Sequence, residues 1–324
     1  MVRRIIQTGL MVAVHGACQS GAQQPSPDPE RVQVSAGPES VTEPMSRASG
    51  EFRGLWYDGN AELSAYRVEM PRYGKVRKAE IVLVYVTEPM NRESWIKDDD
   101  AKAHQRVDVI KLNVSLRFLT GIYPYSVMTS VFSPIDAWPG HRFSPIKVSM
   151  TAQEWCGHVF QSIWPSDGMF RSRIASYFAS EGEGTATTEV PANTLYEDAL
   201  LIQLRELDGL FAQGKDWTGF LVPSLWRVRQ AHQSAEAVKA TIKRSQVQLA
   251  GNTVTRFTLD ARGYQRIIDI ETNKPRRVLS WKTSRGEKAQ LIKTSRLPYW
   301  KLNRPGDERY RAELGLSEQL LSGW

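Results

Sequence analysis

Along most of this 324-residue chain, apolar residues alternate with polar ones more often than they recur at helical spacing. In residues 107–118, Ile110, Leu112, Val114, Leu116 and Phe118 fall on one face, and in residues 125–132 Val127, Thr129 and Val131 do the same. Residues 79–88, 145–156 (with Ile146, Val148 and Met150) and 169–178 share the rhythm. A period of two belongs to a strand that buries one face, so these segments predict a β-rich body from about Phe52 onward.

Helical spacing stands out once. Thr194 and Glu197 form a capping box, and Leu195, Ala199, Ile202 and Glu206 follow at helical intervals, which predicts a helix over residues 195–211 with Leu200 and Leu204 inward. Beyond it, residues 253–260, 264–271, 276–283 and 287–294 are short strand-like runs. Turn signals at 261–263, 272–275 and 284–286 separate them. Regular spacing of this kind predicts an antiparallel meander, with Val278, Ser280 and Lys282 opposing Leu279 and Trp281. The fold class expected is mainly β (α+β): one curved antiparallel sheet or half-barrel with a C-terminal meander and at least one helix. Two adjacent sheets divided near Pro223 are the alternative.

The first 44 residues carry a different signal. Arg3 and Arg4 precede a short apolar stretch, and Gly16-Ala17-Cys18 closes it, the architecture of a signal peptide. Small residues before a cysteine resemble the lipobox of bacterial lipoproteins, which implies that Cys18 becomes the lipidated first residue of the mature chain. Residues 19–44 are rich in Gln, Ser, Pro, Gly and Glu and nearly free of large apolar side chains, so they read as a disordered tether. The expected organisation is a signal segment at 1–18, a tether at 19–50, a β-rich part at 51–222 and a basic meander at 223–324, the last two in one domain. The expected location is the bacterial cell envelope, membrane-anchored and facing the periplasm or cell surface.

Charge sharpens this picture. The net charge is +7, yet residues 225–311 hold 20 basic and 7 acidic side chains, and the remainder holds 22 and 28. A basic segment beside an acidic remainder points to an anionic surface or ligand for one part of the molecule. With no apolar run near the roughly 20 residues a spanning helix needs, the bulk of the chain is expected outside the hydrocarbon of a membrane.

The central segment carries a resemblance. Arg72-Tyr73-Gly74, VLVYVTE at 82–88, IKLN at 110–113, TGIYPYSVMTSVFSP at 120–134, QEWCGH at 153–158 and SYFASEGEG at 176–184 resemble an uncharacterised family of bacterial exported, lipoprotein-like proteins. Some of its members are labelled septum formation inhibitor Maf. Genuine Maf proteins are nucleotide pyrophosphatases with an N-terminal Ser-Pro-Arg-Arg-type element in an α/β fold. Lacking that element and the alternating βα pattern, this chain does not inherit the activity. The meander, ending in Arg296-Leu297-Pro298-Tyr299-Trp300, more weakly resembles the curved-sheet envelope proteins of the LolA-like carriers, a likeness of architecture.

Few residues are candidates for chemistry. Glu154, Cys156 and His158 are spaced so that one strand face would carry all three, which suggests a thiol nucleophile with its base. Side chains two apart on a strand stand about 6.5–7 Å apart, beyond hydrogen-bond reach, so a buried polar cluster with an inert Cys156 is the favoured reading. Only Cys18 and Cys156 exist, so an acylated Cys18 leaves Cys156 a lone thiol, safest when buried. Cys156 and His158 supply two metal ligands, and His104, His141 and His232 lie in no ligand spacing, so no metal and no cofactor are expected. Ser180-Glu181-Gly182-Glu183-Gly184 has no Lys and two acids, so it reads as a turn and not a phosphate loop. Gly-x-Ser-x-Gly, Walker A, His-Glu-x-x-His and Cys-x-x-Cys signatures do not occur.

Tyr123 and Tyr125 are candidates for the mouth of a ligand cavity, with packing in the sheet core as the favoured alternative. Arg262, Arg266, Lys274, Arg276, Arg277, Lys282, Arg285, Lys288, Lys293 and Arg296 are candidates for anionic lipid head groups, with a solvated sheet face as the favoured alternative, and Arg276, Arg277, Lys282 and Trp300 join the tyrosines as ligand-binding candidates. The functional expectation is an envelope-anchored binding or structural module for a lipid or other amphipathic ligand, with no nucleic-acid partner. A thiol-dependent enzyme using Cys156 and His158 is the alternative.

Overall fold

The computed structural model describes residues 48–136, 138–205 and 210–316. The predicted signal segment, with Cys18, and the tether up to residue 47 lie outside them. The folded body starts slightly earlier than expected. Ala48 is buried, and Ser49 caps a short helix, α1 (Gly50–Trp56), by accepting a hydrogen bond from the Phe52 amide at 3.2 Å.

Sixteen strands form one sheet: β1 (Ala61–Arg72), β2 (Lys75–Asn91), β3 (Ile96–Lys97), β4 (Arg106–Thr120), β5 (Tyr123–Pro134), β6 (Lys147–Glu154), β7 (Gly157–Ser166), β8 (Met169–Ser176), β9 (Glu183–Glu189), β10 (Leu195–Tyr196), β11 (Trp217–Val222), β12 (Val238–Leu249), β13 (Asn252–Ala261), β14 (Tyr264–Glu271), β15 (Val278–Thr283) and β16 (Lys288–Leu297). Three further helices are α2 (Leu200–Gln203), α3 (Leu225–Ala231) and α4 (Arg309–Glu313). Among the described residues, no helix is long and apolar enough to cross a membrane.

The chain enters the sheet in its middle. From β1 it runs outward by antiparallel neighbours to β9 at one edge, then restarts at the other edge with β10 and returns to β16, which pairs with β1. Among the described residues, only the two-residue β10 is parallel to its partner, β11. Residues 190–194 alone connect the two edge strands, so the sheet curls until its ends face each other without a hydrogen-bond ladder between them. Phe170 and Tyr196 meet edge to face across this seam, at 6.4 Å between ring centres. One continuous sheet thus runs past Pro223, and the division considered there is absent.

The period-two segments became strands for the reason anticipated. Ile110, Leu112, Leu116 and Phe118 are buried on the concave face with Val127, Val131, Val148 and Met150. Phe52 and Trp56 of α1 plug one end of this core, Phe52 stacking on Phe143 at 5.3 Å and Trp56 packing against Tyr85 at 5.7 Å. Each large side chain buried this fully contributes roughly 1.5–3 kcal/mol. The N-terminal half of β1 is covered on both faces, because Ala61, Leu63 and Ala65 on the convex side lie under Leu314 and Leu316.

Two local expectations fail. The helix over 195–211 is mostly absent: Leu195 and Tyr196 pair with Leu221 and Val222, a 3-10 turn follows over Glu197–Ala199, and α2 is one turn long. Glu197 does not fold back on its own segment but accepts from Arg227 and from the Ser224 amide, while the Thr194 hydroxyl donates to the Pro191 carbonyl. Leu200 and Leu204 are buried as expected. In β15, the register slips by one residue between the Asp269–Ser280 and Ile270–Val278 pairs, leaving Leu279 as a bulge. That bulge reverses the alternation, so Val278 and Trp281 are both buried in the concave core and no longer lie on opposed faces.

Part of the charge asymmetry along the sequence is paired off within the body. Arg227 and Arg266 face Glu197, Arg229 binds Glu181, Lys288 binds Glu69 and Arg296 binds Asp58. The basic half is therefore stitched to the acidic half.

Candidate functional site

The strand triplet proposed around Cys156 does not exist. Strand β6 ends at Glu154, and Trp155-Cys156 is the two-residue connection to β7, with Glu154 paired to Gly157. Cys156 and His158 are exposed, so the expected buried cluster is overturned as well. The Glu154 carboxylate accepts from the Cys156 amide at 2.7 Å, and its hydrogen bond to the thiol pushes the thiol above its ordinary range. A raised thiol holds little thiolate near neutrality, the opposite of what a nucleophile requires. Among the described residues, no three His, Cys, Asp or Glu side chains converge as metal ligands.

The remaining candidates are dispersed. Tyr125 is buried, stacked on Phe118 at 4.8 Å, and its hydroxyl meets that of Tyr73 at 2.7 Å. Tyr123 is half-buried beside it, 6.0 Å away, and neither tyrosine lines the cavity described below. Arg277 is held by Glu271, Arg276 is half-buried at φ 57°, Lys282 is exposed and Trp300 sits on the C-terminal stretch against Tyr299. None of these four lines the cavity.

The structure instead brings together residues from several distant segments. A cavity of about 290 Å³ lies between the concave face and the segments 197–201 and 224–230. Ile81, Val114, Leu116, Val127 and Leu201 form an apolar wall, because each is an inward position of a strand or of the short helical turn opposite. The other wall is charged, with Glu197, Asp198, Arg227, Arg266 and Glu287 beside Tyr264 and Trp281.

Glu197, 1% exposed, accepts from Arg227 at 3.0 and 2.6 Å and from the Ser224 amide at 3.1 Å, with Arg266 3.7 Å away. The Arg227 guanidinium lies on the Tyr264 ring at 4.1 Å. Asp198 accepts from the Leu225 amide at 2.9 Å, and burial lifts its carboxyl to about 6. Burial also raises Glu287, against the pull of Arg266 and of the bond from the Trp281 indole. Arg266 faces Trp281 at 5.4 Å, and among the described residues its buried Nε has no hydrogen-bond partner. A buried N–H without an acceptor is costly, and a polar group of a ligand would satisfy it.

Apart from Arg266, which the sequence offered among the basic residues for lipid head groups, these residues were not singled out from sequence as a site. Glu197-Asp198 inside the apolar run TLYEDALLIQL was the available signal, since two carboxylates there must be buried or break the run. Arg227 and Arg266 could not be paired with them, because the contacts depend on the sheet's closure. Comparison with known proteins finds no family model, no curated protein and no solved structure that matches this chain.

Proposed function

We propose that this protein is a binding module of the bacterial cell envelope, held to a membrane through a lipid on Cys18, whose cavity takes an amphipathic ligand. The observation that carries the reading is the two-sided lining of the cavity. An apolar wall of Ile81, Val114, Leu116, Val127 and Leu201 suits a hydrocarbon portion, and the Arg266, Glu197 and Glu287 wall suits a polar one. The curved sheet with short helical segments over its concave side is in keeping with the weak likeness of the meander to LolA-like carriers, and the sequence of residues 1–44 supports the anchor.

Native mass spectrometry of the full chain purified from an envelope fraction, followed by solvent extraction, tests the ligand. A stoichiometric amphipathic mass is expected, and Leu116→Trp, which fills the apolar side, should abolish it. Protein that carries no added mass, even after incubation with envelope lipids, would sink the reading. The anchor is tested separately: Cys18→Ser should move the protein from the membrane pellet to the soluble fraction.

A further inference from the structure

Alternating turns of the antiparallel sheet share one end, and four successive ones carry large exposed apolar side chains. Tyr73 lies between β1 and β2 and is 57% exposed; Ile122, between β4 and β5, is 82% exposed. Trp155, between β6 and β7, is 64% exposed, and Tyr177, just after β8, is 70% exposed. Such turns recur every second strand, roughly 10 Å apart, so the four tips form a row. The row is contiguous. Tyr73 bonds Tyr125, Tyr123 lies 6.3 Å from Trp155, and the Tyr177 ring packs so closely on Gly157 that a Cβ there would fall 2.6 Å from it.

This end also carries exposed cations without an acidic partner. Lys75, the first residue of β2, and Arg262 and Arg285, in turns, lie at the same end, are exposed and make no ion pair among the described residues, and Glu183 is exposed there too. The opposite end exposes Asp100 and Asp167, with Asp99 paired to Lys97 and with Arg92 and Lys102 exposed in the same connection. Tyr and Trp combine an apolar ring with a polar tip, which suits the boundary between hydrocarbon and head groups, and nearby cations favour anionic lipid.

We propose that this end of the sheet docks on an anionic lipid bilayer. Tyr73, Ile122, Trp155 and Tyr177 enter the head-group layer, and Lys75, Arg262 and Arg285 face the lipid charge. Because Arg72, Tyr73 and Arg285 also line the cavity, its mouth opens at the docked surface. The docking stands on the tips and the charge and holds whether or not the cavity carries a ligand.

Cys156 supplies the test, since it sits beside Trp155 at a tip. In the full chain with Cys18→Ser, it is the sole thiol and takes an environment-sensitive fluorophore. A control chain with Cys18→Ser, Cys156→Ser and Asp167→Cys places the same label at the opposite end. Vesicles of phosphatidylcholine with phosphatidylglycerol should blue-shift the label at 156 and leave the label at 167 unchanged, with a weaker response to phosphatidylcholine alone. Ile122→Asp combined with Trp155→Asp should lower vesicle affinity at least about tenfold at an unchanged melting temperature, both positions being exposed. No shift at 156, an equal shift at 167, unaltered affinity of the double variant, or a shift through self-association without vesicles would each overturn the proposal.

Discussion

Arg205 and Glu62 lie 143 positions apart and meet in a bidentate ion pair, Nη1 to Oε1 at 2.7 Å and Nη2 to Oε2 at 3.1 Å, with side chains 1% and 2% exposed. The guanidinium also donates to the Pro275 carbonyl and lies against the rings of both Tyr85 and Trp56, at 4.4 and 5.2 Å. Burial pushes the Glu62 carboxyl up, but the Arg205 charge and its hydrogen bonds, aided by Arg296, outweigh that and hold the carboxyl below its ordinary range. The pair pins the segment after α2 to strand β1.

Breaking the pair on one side strands a buried charge. Arg205→Met alone should cost roughly 3–5 kcal/mol, whereas Arg205→Met with Glu62→Leu should recover most of that. Urea unfolding of the single and double variants reads the coupling; strictly additive losses would show that the two residues do not act together.

Asp198 sets a pH dependence of opposite sign. Its folded value, about 6, lies above the ordinary aspartate value of 3.8, so the folded protein binds the proton more tightly than the unfolded chain. The resulting stability is complete below the ordinary value and is lost as pH rises through about 6. Asp198→Asn keeps an acceptor for the Leu225 amide without the charge. It should gain on the order of 1–3 kcal/mol at about pH 8 and little at about pH 4. Denaturant midpoints across that range decide it, and a gain independent of pH would refute the assignment.

Cys156 is accessible but held as a thiol. Its reaction with iodoacetamide should follow a titration displaced above that of a free cysteine, and Glu154→Gln should bring the midpoint down and speed the reaction near neutrality. A rate already maximal at neutral pH would contradict the geometry.

Gly315 closes helix α4 at φ 74°, where a Cβ would fall 2.8 Å from the Ile292 Cγ2 atom. Gly315→Val should therefore lift Leu314 and Leu316 from β1 and cost about 1–2 kcal/mol or more. Limited trypsin digestion should then cut at Arg309 or Arg311 well before the rest of the body. Unchanged digestion would mean that the C-terminal segment tolerates the strain.

Strand positions were legible where a strand buries one face, because the alternation is local. Val127, Thr129 and Val131 are inward as read, and the turns at 261–263 and 284–286 fall where glycine marks them. What escaped was non-local. Glu197 has the spacing of a capping residue, but Arg227 arrives from thirty positions away and takes the carboxylate. The Leu279 bulge is a property of the pairing between two strands and leaves no mark on one of them. Trp155-Cys156 carries none of the usual two-residue turn signals, so the strand was read through it to the wrong end. The site was hidden for the same reason, since its charged wall assembles only when both halves of the sheet have come around.

Strand β1 finds β2 within a tight turn, but its other neighbour is the last strand of the body: Ser64 meets Thr294, 230 positions later. While the chain is being made, one rim of amides and carbonyls on β1 stays open until β16 arrives, offering a template to any passing extended peptide. So distant a partner also makes folding slow, because the loop must close before the contact can form. A chain that stops short of residue 288 is therefore not a smaller version of this protein. It is an unfinished one, with its first strand still exposed to aggregation.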